Sequence, residues 1–300
     1  MGVGIMTLYK TTITPKSNFT TPLKGDTLFG QICWAIRYAL GEDRLNELLS
    51  DYDKKPFLIV SDGFASGYLP KPSMPSHLLG ENLDLKKENR KKIWLSMEDL
   101  QSGNFKNAKT SGEIGYELTK NATIKNSINY LTFTTDDSGK FAPYALVEMK
   151  FSKQDIYFLL DDRFKLDELE KALDVVSKSG YGKRASIGKG TFEYSAFEKV
   201  SVKNSSNAFM TLSLVVIDDE NLKEFYYEPF TRFGKHGGGL ANTNPFKSPI
   251  LMADSGSVAV YDEICEKEYL GKAISGHSVN ANTVHQGYSI LIATEIKNAQ

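Results

Sequence analysis

The chain has 300 residues, of which 41% are hydrophobic and 24% charged, a composition unlike that of disordered, collagen-like or disulfide-scaffold proteins. At roughly 150 residues per domain, this length predicts about two domains. Lys and Arg number 36 against 37 Asp and Glu, so the net charge of −1 excludes a uniformly basic nucleic-acid binder and directs attention to local basic clusters.

The chain shows no sign of export or membrane insertion. No apolar run approaches the roughly 18 residues of a membrane span. The first five residues lack the basic region of a secretory signal. Two cysteines are too few for a disulfide framework. We therefore expect a soluble, cytoplasmic protein with no membrane partner.

The first 200 residues alternate between strand and helix patterns. In chain order, they predict a strand at 3–13, a helix from Asp26 to about residue 40, a short helix at 42–50 and a strand at 57–61. After a Gly- and Pro-rich loop, a polar insertion at 81–140 is expected to contain a charged helix at 86–97 and a hairpin. Strands at 145–151 and 155–160, a helix at 165–177, a glycine loop at 180–190 and a strand at 191–200 complete the region.

The order of these elements indicates the fold. Without the insertion they read strand–helix–strand–strand–helix–strand, which is the ferredoxin-like (RRM-like) arrangement. Further strand patterns occur at 209–217, 225–233, 257–261 and 287–294, with weak helical signal at 262–270. We predict an α+β protein of two tandem ferredoxin-like domains, 1–200 and 208–300, the second degenerate.

The glycine loop is the clearest candidate for a binding site. Residues 178–190 hold four glycines and four basic residues, with no acid. Glycine lets backbone N–H groups approach a ligand, and Lys183, Arg184 and Lys189 supply charge for phosphates. Tyr181 could offer a face for base stacking. The loop leaves a helix and enters a strand, unlike a dinucleotide fingerprint, and its spacing differs from an NTPase phosphate loop. The alternative is a helix C-cap followed by a turn with solvated lysines.

The start of the first helix is a second candidate. Lys24 and Thr27 flank Asp26 where free N–H groups can bind a phosphate. The simpler interpretation is that Asp26 caps the helix. The basic run at 86–92 is most often solvated helix surface. The four histidines lack metal-ligand spacing, and no acid/base cluster is visible, so we expect no metal and no cofactor.

Several motifs, taken together, are similar to one protein family. The loop at 180–190 resembles the glycine-rich loop of the RAMP superfamily of CRISPR proteins. Other segments resemble subunit four of the type III-A (Csm) effector complex: KGDTLFGQICW at 24–34, LPKP at 69–72, NSI at 126–128, NPFKSPILM at 244–252 and GSV at 256–258. They lie in the order found in that family and extend to about residue 260.

This resemblance implies a non-catalytic subunit. Members of the family hold the repeat-derived 5′ handle of crRNA, and a thumb hairpin, here at about 100–140, bends the guide. They join the large polymerase/cyclase-like subunit to the backbone RAMP subunits, and contact target RNA only indirectly. By position, the RNA-binding residues would be Lys24, Thr27, Gly180, Tyr181, Gly182, Lys183, Arg184, Ser186, Gly188 and Lys189, with Arg232 and Lys247 from the second domain.

Two other functions remain open from the sequence. A repeat-processing endoribonuclease of the same superfamily shares the double ferredoxin-like architecture, but it needs a general base, commonly His, near the bound phosphate. The first helix contains no His, although a Tyr or Lys could substitute. An unrelated metabolic α+β protein with an anion-binding loop is the third possibility.

Overall fold

The computed structural model describes residues 6–135, 139–236, 246–278 and 283–297, which form helices and antiparallel sheets. The helices are α1 (Gly25–Ala39), α2 (Glu42–Leu49), α3 (Lys86–Asn89), α4 (Met97–Gln101) and α5 (Leu166–Ser179). In the first 200 residues the strands are β1 (Thr7–Pro15), β2 (Leu58–Val60), β3 (Phe64–Ala65), β4 (Leu69–Pro70), β5 (Lys92–Leu95), β6 (Lys109–Thr110), β7 (Leu118–Lys125), β8 (Tyr144–Phe151), β9 (Gln154–Leu160), β10 (Phe192–Tyr194) and β11 (Glu198–Lys199). The remaining strands are β12 (Ser205–Thr211), β13 (Glu224–Tyr226), β14 (Pro229–Arg232), β15 (Ile250–Ala253), β16 (Val258–Glu266), β17 (Tyr269–Gly271) and β18 (Tyr288–Thr294).

The first sheet has the strand order β10-β1-β9-β2, with β11 also paired to β1 and β3 to β9. Its strands β2 and β9 are buried along their whole length, which agrees with the apolar sequence of β2 and of β9 from Ile156 onward. Helix α1 packs against α5 and β2. Both helices place apolar residues at helical spacing on the packed face, including Ile32 and Ile36 of α1 and Leu169 and Leu173 of α5. The prediction of a mixed helix-and-sheet protein is confirmed.

A long antiparallel hairpin, formed by β7 and β8, leaves the first sheet. Every residue of β7 is exposed, so the hairpin projects from the body. Its base is fixed by a reciprocal backbone pair, because Phe19 N donates to Met149 O at 2.9 Å and Met149 N donates to Phe19 O at 2.7 Å. The strand expected at 145–151 therefore exists, but it pairs within the hairpin. Residues 136–138 of the predicted thumb lie outside the described residues.

The second sheet has the order β13-β16-β12-β18-β17 and joins the first through a shared apolar core. At the joint, the Gln286 side chain pairs with the backbone of Val60: its Oε1 accepts from Val60 N at 2.9 Å, and its Nε2 donates to Val60 O at 2.8 Å. Asp62 N also donates to Leu212 O at 2.8 Å. These hydrogen bonds connect the end of β2 and the residues after it to the second sheet.

Two helix predictions are wrong in part. The predicted helix at 86–97 ends with α3 at Asn89, and the following residues form β5, which pairs with β4 and β6. The weak helical signal at 262–270 corresponds to the end of β16 and to β17. In both places pairing with a distant strand outweighs local helix propensity. Among the described residues, no helix is long and apolar enough to cross a bilayer.

Candidate nucleic-acid interface

The glycine loop connects α5 to β10 as a compact turn. Tyr181 N donates to Gly190 O at 2.8 Å, which closes the loop at its base. Gly182 has φ +77°, a left-handed conformation, and a Cβ at this position would lie 2.7 Å from Thr21 Cβ. Only glycine accommodates both the φ and the approach of Thr21. The turn therefore holds residues 183–189 against the segment that precedes α1.

Tyr181 lies in the core, so the prediction that it presents a stacking face is wrong. Its side chain is fully buried, with its ring centroid 5.9 Å from that of Phe19. Its hydroxyl accepts from Lys24 N at 3.0 Å and donates to Pro22 O at 2.8 Å. Burial raises the pKa of Tyr181 well above its ordinary value. Tyr181 thus joins the loop to the start of α1.

The exposed cations of the loop are Lys183 and Arg184, with Ser186 exposed beside them. In the described part of the chain, no carboxylate lies within ion-pair distance of Lys183 or Arg184. Arg184 has φ +65°, an unfavourable conformation for a residue with a side chain, and its guanidinium carbon lies 5.4 Å from the centroid of the Tyr144 ring on β8. This geometry presents two uncompensated positive charges to solvent beside the hairpin.

Lys189 differs from these two residues because it has a partner. Its Nζ lies 2.8 Å from Oε1 of Glu148, a β8 residue whose other carboxylate oxygen accepts from Asn18 Nδ2 at 2.7 Å. These hydrogen bonds hold the pKa of Glu148 below its ordinary value. Lys189 therefore connects the loop to the hairpin. The preceding residue, Gly188, is exposed.

The start of α1 is already occupied by a carboxylate. Gly25 N donates to Asp62 Oδ1 at 2.8 Å, while Lys24 Nζ lies 2.7 Å from Asp62 Oδ2 and 2.6 Å from Asp254 Oδ1. Burial opposes the charge on Lys24, but Asp62 and Asp254 outweigh it and raise the pKa of Lys24. Thr27 is half-buried in the first turn of α1. The expectation of a free lysine at this position is wrong, because Lys24 is paired with two protein carboxylates, one of which also accepts from Gly25 N.

Asp26 does not cap the helix either. The N-cap residue is Lys24, and Asp26 is a buried first-turn residue. Its Oδ1 accepts from Arg232 Nη2 on β14 at 2.6 Å, and its Oδ2 lies 3.0 Å from Nε2 of His285, which precedes β18. Burial would raise the pKa of the Asp26 carboxyl, but His285 and Arg232 outweigh burial and hold it below its ordinary value. Arg232 is thereby committed to an ion pair between α1 and the two-stranded sheet of β14 and β15.

The structure also gathers histidines that are scattered in the sequence. The rings of His277 and His285 lie 5.7 Å apart, and His236 Nε2 lies 2.6 Å from Ser278 Oγ. Burial, with Lys247 nearby, lowers the pKa of His277 to about 4, and burial lowers the pKa of Lys247. Their spacing in the sequence carries no signal of this cluster. In the described ranges, no three His, Cys, Asp or Glu side chains are grouped so that they could hold a metal ion.

The structure thus divides the predicted site residues. It places Lys183, Arg184, Ser186, Gly188 and Lys189 on one surface beside the hairpin, it places Lys24 and Arg232 in internal ion pairs, and it leaves Thr27 half-buried on α1. Lys247 is half-buried, and its charge opposes the burial that raises the pKa of the Cys33 thiol on α1. Sequence reasoning missed Tyr144 and Glu148, because no local motif marks the residues of a strand that returns to the loop. Asn244 and Pro245, part of the 244–252 segment, lie outside the described residues.

Comparison with solved structures identifies chains with a similar fold. A chain of the Csm1–Csm4 cassette in complex with AMPPNP matches with a TM-score of 0.63 and 16% identity, over 97% of this chain and 98% of that chain. A chain of the Csm3–Csm4 subcomplex of the type III-A CRISPR–Cas interference complex matches with a TM-score of 0.61 and 17% identity, over 96% and 99%. A chain of the type III-B Cmr-beta complex bound to target RNA matches with a TM-score of 0.50 and 13% identity, over 84% and 86%.

At these identities the structural matches establish a shared fold. No curated protein matches the chain. The family model of the RAMP superfamily matches residues 11–193, well over half of the chain. That region begins within β1, contains α1, the hairpin and α5, and includes the whole glycine loop. Because one family model accounts for the elements that build and position this loop, the chain belongs to the RAMP superfamily.

Proposed function

We propose that this protein is a cytoplasmic, non-catalytic, RNA-binding subunit of a type III-A CRISPR effector complex. In this role it holds the repeat-derived 5′ handle of crRNA, and it joins the large polymerase/cyclase-like subunit to the backbone RAMP subunits. Membership of the RAMP superfamily supports the proposal, as does the likeness to chains from assemblies that contain Csm1, Csm3 and Csm4.

One observation carries the RNA-binding part of the proposal. Lys183 and Arg184 are exposed, lack carboxylate partners in the described ranges, and are held by a glycine turn at the foot of a projecting hairpin. A protein of net charge −1 that leaves two adjacent cations unpaired on a constrained loop offers a local site for phosphates. The hairpin formed by β7 and β8 would be the thumb that bends the guide.

We also propose that the two sheets are two ferredoxin-like units. In the first sheet, β1, β2, β9 and β10 follow one another along the chain, and α1 and α5 are the connecting helices. In space these strands lie in the order β10-β1-β9-β2, that is, fourth, first, third, second. Strands β18-β12-β16-β13 have this same order, and the described connections between them contain no helix. The corresponding boundaries are 1–200, with an insertion at about 81–140, and 208–300.

A salt-titrated binding assay tests this function. Labelled handle RNA and a scrambled RNA of equal length are titrated with the wild type and with Lys183→Ala/Arg184→Ala. We expect tighter binding of the handle, and we expect the double variant to lower the slope of log K against log salt by about 1.4, since each lost single-strand phosphate contact removes about 0.7. The matched control is Lys171→Ala/Lys178→Ala, which removes two exposed lysines that pair along α5. An unchanged slope in the loop variant would contradict the proposal.

The endoribonuclease is the second candidate because the histidines are gathered at the joint. His277 and His285 are only 6% and 8% exposed, so neither reaches a phosphate on the surface, and His236 is the accessible member. Repeat RNA incubated with the isolated protein and resolved on a denaturing gel should remain intact. A cut repeat that disappears with His236→Ala would replace the non-catalytic assignment.

A further inference from the structure

Two aromatic side chains form a stacked pair on the outer face of α1. Trp34 and Tyr38 lie one turn apart, with ring centroids 5.9 Å apart and planes inclined by 25°. Tyr38 is 67% exposed, and the Arg37 guanidinium carbon lies 5.5 Å from the Trp34 ring centroid. Such a pair adds a few tenths of a kcal/mol to helix stability by itself. Exposed aromatic rings beside a cation are also the usual platform for unstacked bases.

Gly30 gives an independent indication that a ligand approaches this face. It lies inside α1, where glycine is less favourable than alanine, and it precedes Trp34 by one turn. A Cβ at this position would meet nothing within 4 Å, and the φ of Gly30 is not positive. Neither packing within the chain nor the backbone conformation requires a glycine here. The position therefore leaves open space in which a strand can pass close over the helix.

The outward-facing stripe of α1 runs beside the glycine loop. On one flank, Gly182 N donates to Gln31 Oε1 at 3.1 Å, and Gln31 Nε2 donates to Gly180 O at 3.4 Å. On the other flank lies the half-buried Cys33. By the 100° advance per residue of a helix, Gly30 and Trp34 lie between these two flanks. An RNA bound by phosphates at Lys183 and Arg184 therefore has this stripe beside it.

We infer that the outer face of α1, formed by Thr27, Gly30, Trp34 and Tyr38 (the α1 track), binds single-stranded RNA by base stacking. The inference rests on the proposed function and extends it: bases of the handle stack on Trp34 and Tyr38, while the strand passes over Gly30. The cationic glycine loop on one flank and the small apolar area, two rings, favour RNA over a protein partner. Because every base has a flat face, this contact holds the strand without selecting its sequence.

Four variants test the α1 track with handle RNA. Tyr38→Ala should weaken binding about fivefold or more, since removal of a stacking ring costs at least that much, and Tyr38→Phe should retain affinity. Gly30→Leu should weaken binding although it raises the melting temperature, because leucine favours a helix more than glycine does. The matched control is Tyr227→Ala, which removes a 51% exposed ring stacked on Phe225 in the second sheet and should leave affinity unchanged.

Replacing the handle bases with abasic sites separates stacking from charge. On abasic RNA, the wild type and Tyr38→Ala should bind equally, whereas Lys183→Ala/Arg184→Ala should still bind more weakly. If the loop variant loses affinity for the handle while Tyr38→Ala and Gly30→Leu bind like the wild type, the α1 track is wrong and the proposed function stands. Loss of co-purification with the large subunit at unchanged RNA affinity would instead assign the track to a protein interface. If the wild type shows no salt-dependent handle binding, both proposals fail.

Discussion

Lys24→Met should destabilise the protein strongly, although the residue lies at the start of a helix where lysines are usually solvated. The Lys24 side chain is 18% exposed and bridges Asp62, which is 4% exposed, and Asp254, which is 32% exposed. The substitution keeps the aliphatic stem and removes the charge. Asp62 then remains as a buried carboxylate to which, among the described residues, Gly25 N alone donates a hydrogen bond.

The size of the effect follows from burial. Removing one member of a buried ion pair costs about 3–5 kcal/mol, and partial exposure of Lys24 and Asp254 places our expectation near the lower end, about 3 kcal/mol. In a chain of this size such a loss lowers the melting temperature by roughly 5–10 °C. Lys24→Met/Asp62→Asn should recover most of the loss, because an amide still accepts from Gly25 N without a buried charge.

The effect should also depend on pH with a defined sign. Burial raises the pKa of the Asp62 carboxyl above its ordinary value of 3.8, and Lys24 opposes that rise. Without Lys24, the pKa of Asp62 in the folded state rises further. At any pH between the unfolded-state and folded-state pKa values of Asp62, the unfolded state therefore binds fewer protons than the folded state. The stability deficit of Lys24→Met should therefore grow as the pH rises above 3.8 and shrink as it falls.

Urea denaturation at pH 5 and pH 8 measures both effects. Lys178→Met is the matched control, because that lysine is 78% exposed and pairs with Asp174 one turn away at 3.3 Å, and its loss should cost less than about 0.5 kcal/mol. A deficit of Lys24→Met below about 1 kcal/mol, or one of equal size at the two pH values, would refute the role assigned to this bridge.

Three further predictions concern the glycine loop. Gly182→Val should lower the melting temperature more than Gly188→Val, because both positions have positive φ but only the first would place a Cβ against Thr21, at 2.7 Å. Arg184→Gly should be more stable than Arg184→Ala by about 1 kcal/mol in urea denaturation, since only glycine adopts φ +65° without cost, and both variants should bind handle RNA more weakly. Tyr181→Phe should cost about 1–2 kcal/mol through the lost bonds to Lys24 N and Pro22 O, with no change in the salt dependence of RNA binding; a changed slope would mean that the hydroxyl contacts RNA.

Local sequence patterns were sufficient to predict the main helices. The helices α1, α2 and α5 lie where apolar spacing predicts them, because each presents one apolar face at a period of 3.6 residues. The sequence also identified the loop at 180–190, since a concentration of glycine and cations without acids is visible in a short window. The error at 86–97 arose because Trp94 and Leu95 pair with Pro70 and Leu69, and no short window contains that pairing.

Only the tertiary structure determines which charged side chains have a partner of opposite charge. Asp26 is a good capping residue by type, yet Arg232 reaches its carboxylate from 206 positions away. The segment 178–190 has four cations and no acid of its own, but β8 brings Glu148 to Lys189 and, among the described residues, Lys183 and Arg184 have no carboxylate partner. Electrostatic pairing depends on distance in space, whereas a sequence motif records only distance along the chain. The sequence therefore identified the loop that carries the charges, and the fold determined which of those charges are paired with carboxylates in the described part of the chain.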